Sequence, residues 1–184
     1  MREFFNMAQK SDYYKNTVFF ILGDHGLSAA KSENMPKGVV AHNLINNQVP
    51  FLITGAPITK PRVICKTASQ VDVLPTMMSF TGFSYTTQAL GRNLLASSEV
   101  EEGALIYAWA SNPAEIGFVQ GDYYYHSQDE QEALYNFLAE NYNKNIAQNE
   151  PERFEHMKNL AHGLYETSRY MTYHNKKNSI HKGE

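Results

Sequence analysis

The residues of this chain best placed to do chemistry stand together in FFILGDHG, residues 19 to 26. Five uncharged residues run directly into Asp24, His25 and Gly26. An acid and an imidazole at the end of an apolar strand are one way to build a metal site at the edge of a sheet. The other reading is a polar turn that closes the strand. Gly26 lets the backbone bend sharply enough for the two neighbouring side chains to converge. A carboxylate oxygen and a neutral imidazole nitrogen suit zinc or manganese better than magnesium or calcium, which prefer oxygen. Two ligands do not complete a site, so further ligands must come from elsewhere in the fold.

Elements on either side must hold this pair. The opening segment reads as a helix with Phe4, Phe5 and Ala8 on one face. TVFFIL then predicts a strand covered on both faces. Residues 26 to 48 hold Gly26, Pro36, Gly38 and several Asn without a clear period, which predicts a long loop. VPFLITG predicts a second buried strand over 49–55. SQVDVLPTMMSFTGF predicts a helix with Ser69 as N-cap, Asp72 in the first turn and Gly82 as its stop. Strands are expected over 104–110 and on both sides of a tight turn at Gly121-Asp122. From Pro151 to Tyr173 the chain turns helical again, with Phe154, Met157, Leu160, Ala161 and Leu164 at core spacing. This order predicts an α/β layered domain with a small antiparallel β end and a C-terminal helix. Residues 1–173 form that domain, and 174–184 form a polar tail.

The chain of 184 residues is long enough for one domain with a real core. Its net charge of −3 gives no electrostatic case for nucleic acid. One cysteine, Cys65, excludes an internal disulfide and a cysteine-rich zinc cluster, and its VICKTAS setting predicts a buried strand cysteine. No run has the length of a membrane span or a signal peptide, so the chain itself reads as soluble with no targeting signal. The 12 tyrosines are read as packing at sheet surfaces and rims.

In order along the chain, NTVFFILGDHG, NNQVPFLITGAP, SQVDVLPTMMSFTG, LGRNLL and GDYYYHSQDEQEALYNFLAEN resemble the C-terminal half of the sulfatase-like, alkaline phosphatase superfamily. The resemblance is greatest to the lipoteichoic acid synthase and phosphoglycerol or phosphoethanolamine transferase branch. It implies a partial alkaline phosphatase-like layered sandwich, with Asp24 and His25 as ligands of Mn2+ or Zn2+. Sulfatases proper tend to have Asp-Asn there and bind Ca2+, so His25 favours phosphate over sulfate esters. His42, in VVAHNLINNQVPF, falls where such proteins often place a basic residue against the oxygens of the transferred group. A transition state that spreads negative charge needs such a donor; the alternative is a loop histidine bonded to nearby backbone. Lys31 and Lys37 read as solvated charges. Gln70 and Asp72 resemble a signature that orients a helix near the site, with Asp72 structural. His126, Asp129 and Glu130 carry no assigned chemistry, while Leu134 and Tyr135 are expected to pack an edge strand.

The superfamily's nucleophile, a threonine, serine or modified cysteine, stands well before the Asp-His pair, beside a further acidic ligand. Neither is recognisable before Asp24, and Cys65 lacks the Cys-x-Pro/Ala-x-Arg pattern that sulfatases modify. The resemblance therefore implies a partner: the N-terminal half of the same enzyme, in a parent anchored to a membrane with this domain outside the cytoplasm. The expected function is the C-terminal part of a metal-dependent phosphotransferase or hydrolase acting on phosphoglycerol- or phosphoethanolamine-type esters at the cell envelope. The alternatives are a sulfatase and a non-catalytic module that retains half of the fold. By itself the chain is expected to bind metal weakly and to lack turnover.

Overall fold

The computed structural model describes residues 1–26, 34–58, 60–97, 101–108 and 114–174. Lys31, the end of the predicted 104–110 strand and the tail from 175 onward lie outside the described residues.

The VFFIL run forms strand β1 (Val18–Leu22), which pairs antiparallel with β2 (Phe51–Gly55), Val18 opposite Gly55 and Leu22 opposite Phe51. Alternation along β1 sends Phe19 toward helix α1 (Arg2–Ala8), where Phe4 and Phe5 meet it edge-on at 5.7 and 5.3 Å. Phe20 meets Phe80 at 5.5 Å, just past helix α3 (Val73–Met78). Such edge-to-face pairs add roughly 0.5–1.5 kcal/mol each to the area they bury. Strand β1 thus carries aromatic packing on both faces, as its unbroken apolar run predicts.

The expected 69–82 helix is a 3-10 turn at Gln70–Asp72 followed by the short α3. Ser69 does cap it, in a reciprocal box with Asp72. The helix ends early because the hydroxyls of Ser79 and Thr81 donate to the carbonyls of Thr76 and Met78, which would otherwise accept from the next turn.

Strands β3 (Ala104–Ala108), β4 (Glu115–Gln120), β5 (Tyr123–Gln128) and β6 (Gln131–Asn136) form an antiparallel meander in chain order. Gly121 and Asp122 turn β4 into β5 as predicted. Asp129 and Glu130, at φ 50° and 62°, turn β5 into β6, and Leu134 and Tyr135 lie on that edge strand. Helix α4 (Pro151–His174) covers one face, where Met157 and Ala161 are buried against Phe118, Tyr125 and Leu134. Full burial of each large apolar side chain there is worth roughly 1.5–3 kcal/mol.

The opposite face holds Ile106 and Tyr124, and its cover is the segment expected to be a loop. Its residues form helix α2 (Lys37–Ala41) and a 3-10 turn at Leu44–Asn46, and they bury Val39 and Leu44 on the sheet. Gly38 allows the approach: a Cβ there would stand 2.0 Å from the Phe137 carbonyl oxygen. The meander is therefore the middle of three layers.

Two further expectations are corrected. Cys65 is exposed, because residues 61–69 join no sheet and have no strand partner among the described residues. The tyrosines are not confined to rims. Tyr124 and Tyr125 are fully buried on opposite faces of β5, their hydroxyls donating to Glu115 at 2.7 Å and Glu132 at 2.5 Å.

Candidate metal centre

Asp24 and His25 follow β1 directly, in a turn tied at both ends to the start of β2 and the segment before it. Gly23 N–H donates to the Pro50 carbonyl at 3.2 Å, and Gly26 N–H to the Asn46 carbonyl at 2.8 Å. A side chain at Gly26 would collide with backbone, its Cβ falling 2.1 Å from the Ile45 oxygen and 2.8 Å from the Asn46 carbonyl. Asn46 Oδ1 is buried and has no hydrogen-bond partner among the described residues.

Within the turn the two side chains divide their atoms between structure and solvent. Asp24 Oδ1 accepts the His25 backbone N–H at 3.0 Å. His25 Nδ1 lies 2.8 Å from the Gly26 carbonyl, which can only accept, so Nδ1 carries the proton. In the neutral ring that leaves the lone pair on Nε2, the arrangement by which histidine ligands are commonly oriented. Nε2 then stands 3.6 Å from Asp24 Oδ2. At zinc–ligand distances of about 2.1 Å, donors so spaced subtend about 120° at a shared cation, close to a tetrahedral angle. The spacing of the two donor atoms is compatible with one divalent cation shared between them.

The two side chains stand on open surface, Asp24 90% and His25 73% exposed, and not in a walled cavity. Among the described residues no group of three or more His, Cys, Asp or Glu converges on a point.

Gln70 also reaches this turn. Its side-chain amide donates to the carbonyls of Gly23 at 2.9 Å and Asp24 at 2.7 Å. The adjacent Asp72 is buried and structural: its carboxylate accepts the backbone N–H groups of Ser69 and Arg92, each at 2.9 Å. The Arg92 guanidinium lies 3.7 Å from it and donates to the carbonyls of Thr67, Glu101 and Gly103. The sequence showed Gln70 as part of a motif; its contact with residues 46 and 47 positions earlier had no local signal.

His42 lies elsewhere in its contacts. It ends α2, stacks on Tyr135 at 4.3 Å between ring centroids and places Nε2 2.9 Å from the Tyr142 carbonyl. Among the described residues no hydrogen bond, ion pair or ring contact joins it to Asp24 or His25. A second titratable cluster, between β6 and α4, joins Glu132 to Tyr125, Lys158 and His162. Burial opposes ionisation of Glu132, yet Lys158 and Tyr125 outweigh it and hold the carboxyl below its ordinary range. Burial and the bond to Glu132 push the Tyr125 phenol well above its ordinary value. This cluster ties the helix to the sheet.

Residues 1–83 match the sulfatase family model. The matched part contains β1, the Asp24-His25 turn, β2, Gln70 and α3, and it ends before the meander. The match covers less than half of the chain and makes that part similar to sulfatases, which generally use a divalent metal. No helix of the described residues is long and apolar enough to cross a membrane.

Proposed function

We propose that this sulfatase-like chain supplies Asp24 and His25 as ligands of Mn2+ or Zn2+ in a metal-dependent phosphotransferase or hydrolase. Its substrates in this reading are phosphoglycerol- or phosphoethanolamine-type esters at the cell envelope, and its parent is membrane-anchored with this domain outside the cytoplasm. The carrying observation is the 3.6 Å convergence of Asp24 Oδ2 and His25 Nε2, with Nδ1 committed to a carbonyl. Nitrogen in the ligand pair favours manganese or zinc over calcium. A bound cation would supply Lewis-acid polarisation of the ester oxygen.

Asp24 and His25 hold one side of the coordination shell. The other ligands and the nucleophile come, in this proposal, from the N-terminal half of the same enzyme. His42 acts on the substrate's anionic oxygens in this proposal only as an imidazolium, because Nε2–H is given to the Tyr142 carbonyl and a neutral ring would have no proton on Nδ1 to donate. Sulfate-ester hydrolysis is the second reading, favoured by the family that residues 1–83 match.

The test is titration of the 184-residue chain with Zn2+ and Mn2+, followed by assays on chromogenic phosphodiester, phosphomonoester and sulfate-ester substrates. Weak binding that disappears in Asp24→Ala and His25→Ala, without turnover, is expected. In the complete enzyme, His42→Ala should lower turnover roughly a hundredfold with metal content unchanged, as loss of one transition-state donor does. Binding unaffected by Asp24→Ala and His25→Ala would overturn the metal assignment, and unchanged turnover would remove His42.

A further inference from the structure

We infer that Gln70 is a positioning residue, whose amide holds the Gly23 and Asp24 carbonyls in the one turn that makes Asp24 and His25 converge. The inference rests on the metal reading of that pair. In an extended strand, successive carbonyls point to opposite sides. Here two successive carbonyls meet the same Nε2, at 2.9 and 2.7 Å. An amide nitrogen has two hydrogens, one for each oxygen, and both partners are acceptors, so chemistry fixes which end of the amide faces them. Holding both carbonyls sets the backbone rotation at Gly23 and Asp24. That rotation sets the directions in which the Asp24 and His25 side chains leave the chain.

The ends of the turn have their own ties, Gly23 N–H to Pro50 and Gly26 N–H to Asn46. The Gly23 and Asp24 carbonyls accept no hydrogen bond among the described residues except from Gln70. Gln70 itself stands on a rigid base. It is the first residue of the 3-10 turn closed by the Ser69–Asp72 box, and Asp72 is pinned by the backbone of Arg92. Losing a partner that orients ligands typically costs 10–100-fold in metal affinity.

The test uses the full chain, with Zn2+ as the probe and two readouts. Ring 15N NMR reads the His25 tautomer without metal, and calorimetry reads Zn2+ affinity. Wild type should show the Nδ1–H form and a bare Nε2 that responds to Zn2+. Gln70→Glu keeps the shape but offers acceptors to two acceptors. It should shift His25 toward a mixture of tautomers and weaken Zn2+ binding about 10–100-fold, with the melting temperature little changed. Gln70→Lys, which can again donate to both oxygens, should restore both readouts. If Gln70→Glu fails to fold, Gln70→Asn, one methylene too short to reach, carries the same two expectations. An unchanged tautomer in the Glu or Asn variant, or no rescue by Lys, would overturn the inference. Wild type that binds no Zn2+ while its tautomer still responds to residue 70 would overturn the metal reading alone.

Discussion

Replacing Asp72 by Asn changes almost no volume and so isolates what the carboxylate does. Its two oxygens serve different amides, Oδ2 accepting from Ser69 and Oδ1 from Arg92, both at 2.9 Å. The Asp72 side chain is 4% exposed and that of Arg92 11%, so water cannot stand in for either. An asparagine offers one acceptor and one donor, which turns an N–H group toward one of the two backbone N–H groups. A buried donor left unsatisfied costs roughly 1–3 kcal/mol. The guanidinium also loses its buried counter-charge, although its three carbonyl partners remain. Together these give a loss of about 3 kcal/mol, at the lower end of the roughly 3–5 for a fully broken buried pair. For a chain of this size that is a fall in melting temperature of roughly 6–12 °C, read by calorimetry or circular dichroism. A fall below about 2 °C would mean that the amides of Ser69 and Arg92 do not depend on the charge, and the structural role given to the Asp72 carboxylate would be wrong.

Gly26→Ala drives a Cβ to 2.1 Å from the Ile45 oxygen, so it should cost about 1–3 kcal/mol and weaken Zn2+ binding; an unchanged melt and affinity would refute the close approach. Glu132 has a depressed folded pKa, so its stabilisation is present above the unfolded carboxylate value and is lost as pH falls through the depressed one. The melting-temperature gap between wild type and Glu132→Gln should accordingly narrow from pH 6 toward about pH 3, and a constant gap would count against the cluster. Asn46→Leu removes a buried oxygen that has no partner among the described residues and should raise the melting temperature by about 2–4 °C; a lower value would show that Oδ1 has a partner in solution.

Where burial and periodicity agreed, the sequence was easy to read. VFFIL could only be a strand, and the Phe154-Met157-Ala161 spacing could only serve a helix on a sheet. The Asp24-His25 pair was visible because chemistry-bearing residues closed an apolar run. Residues 34–48 were opaque for the opposite reason. Helix α2 spans five residues, and only Val39 and Leu44 of the segment's large apolar side chains are buried, too few to show a period. VIC looked like a strand because local composition cannot say whether a neighbour exists to pair with it. Gln70 and the Tyr142 carbonyl under His42 act across 46 and 100 residues, and no local pattern encodes such partners.

The layer that covers the inner sheet face is synthesised long before the face itself. His42 and its carbonyl partner at Tyr142 are 100 residues apart, an interval of roughly 5–20 s at ordinary elongation rates. Over that interval Val39 and Leu44 have no sheet to rest on, and the Asn46 carbonyl that receives Gly26 N–H sits on an unanchored segment. The tie from Asn46 to the turn bearing Asp24 and His25 is therefore expected to close only after the meander has formed. A chain stopped before β6 would show Gly26 exchanging its amide proton freely, and one completed through Tyr142 would protect it.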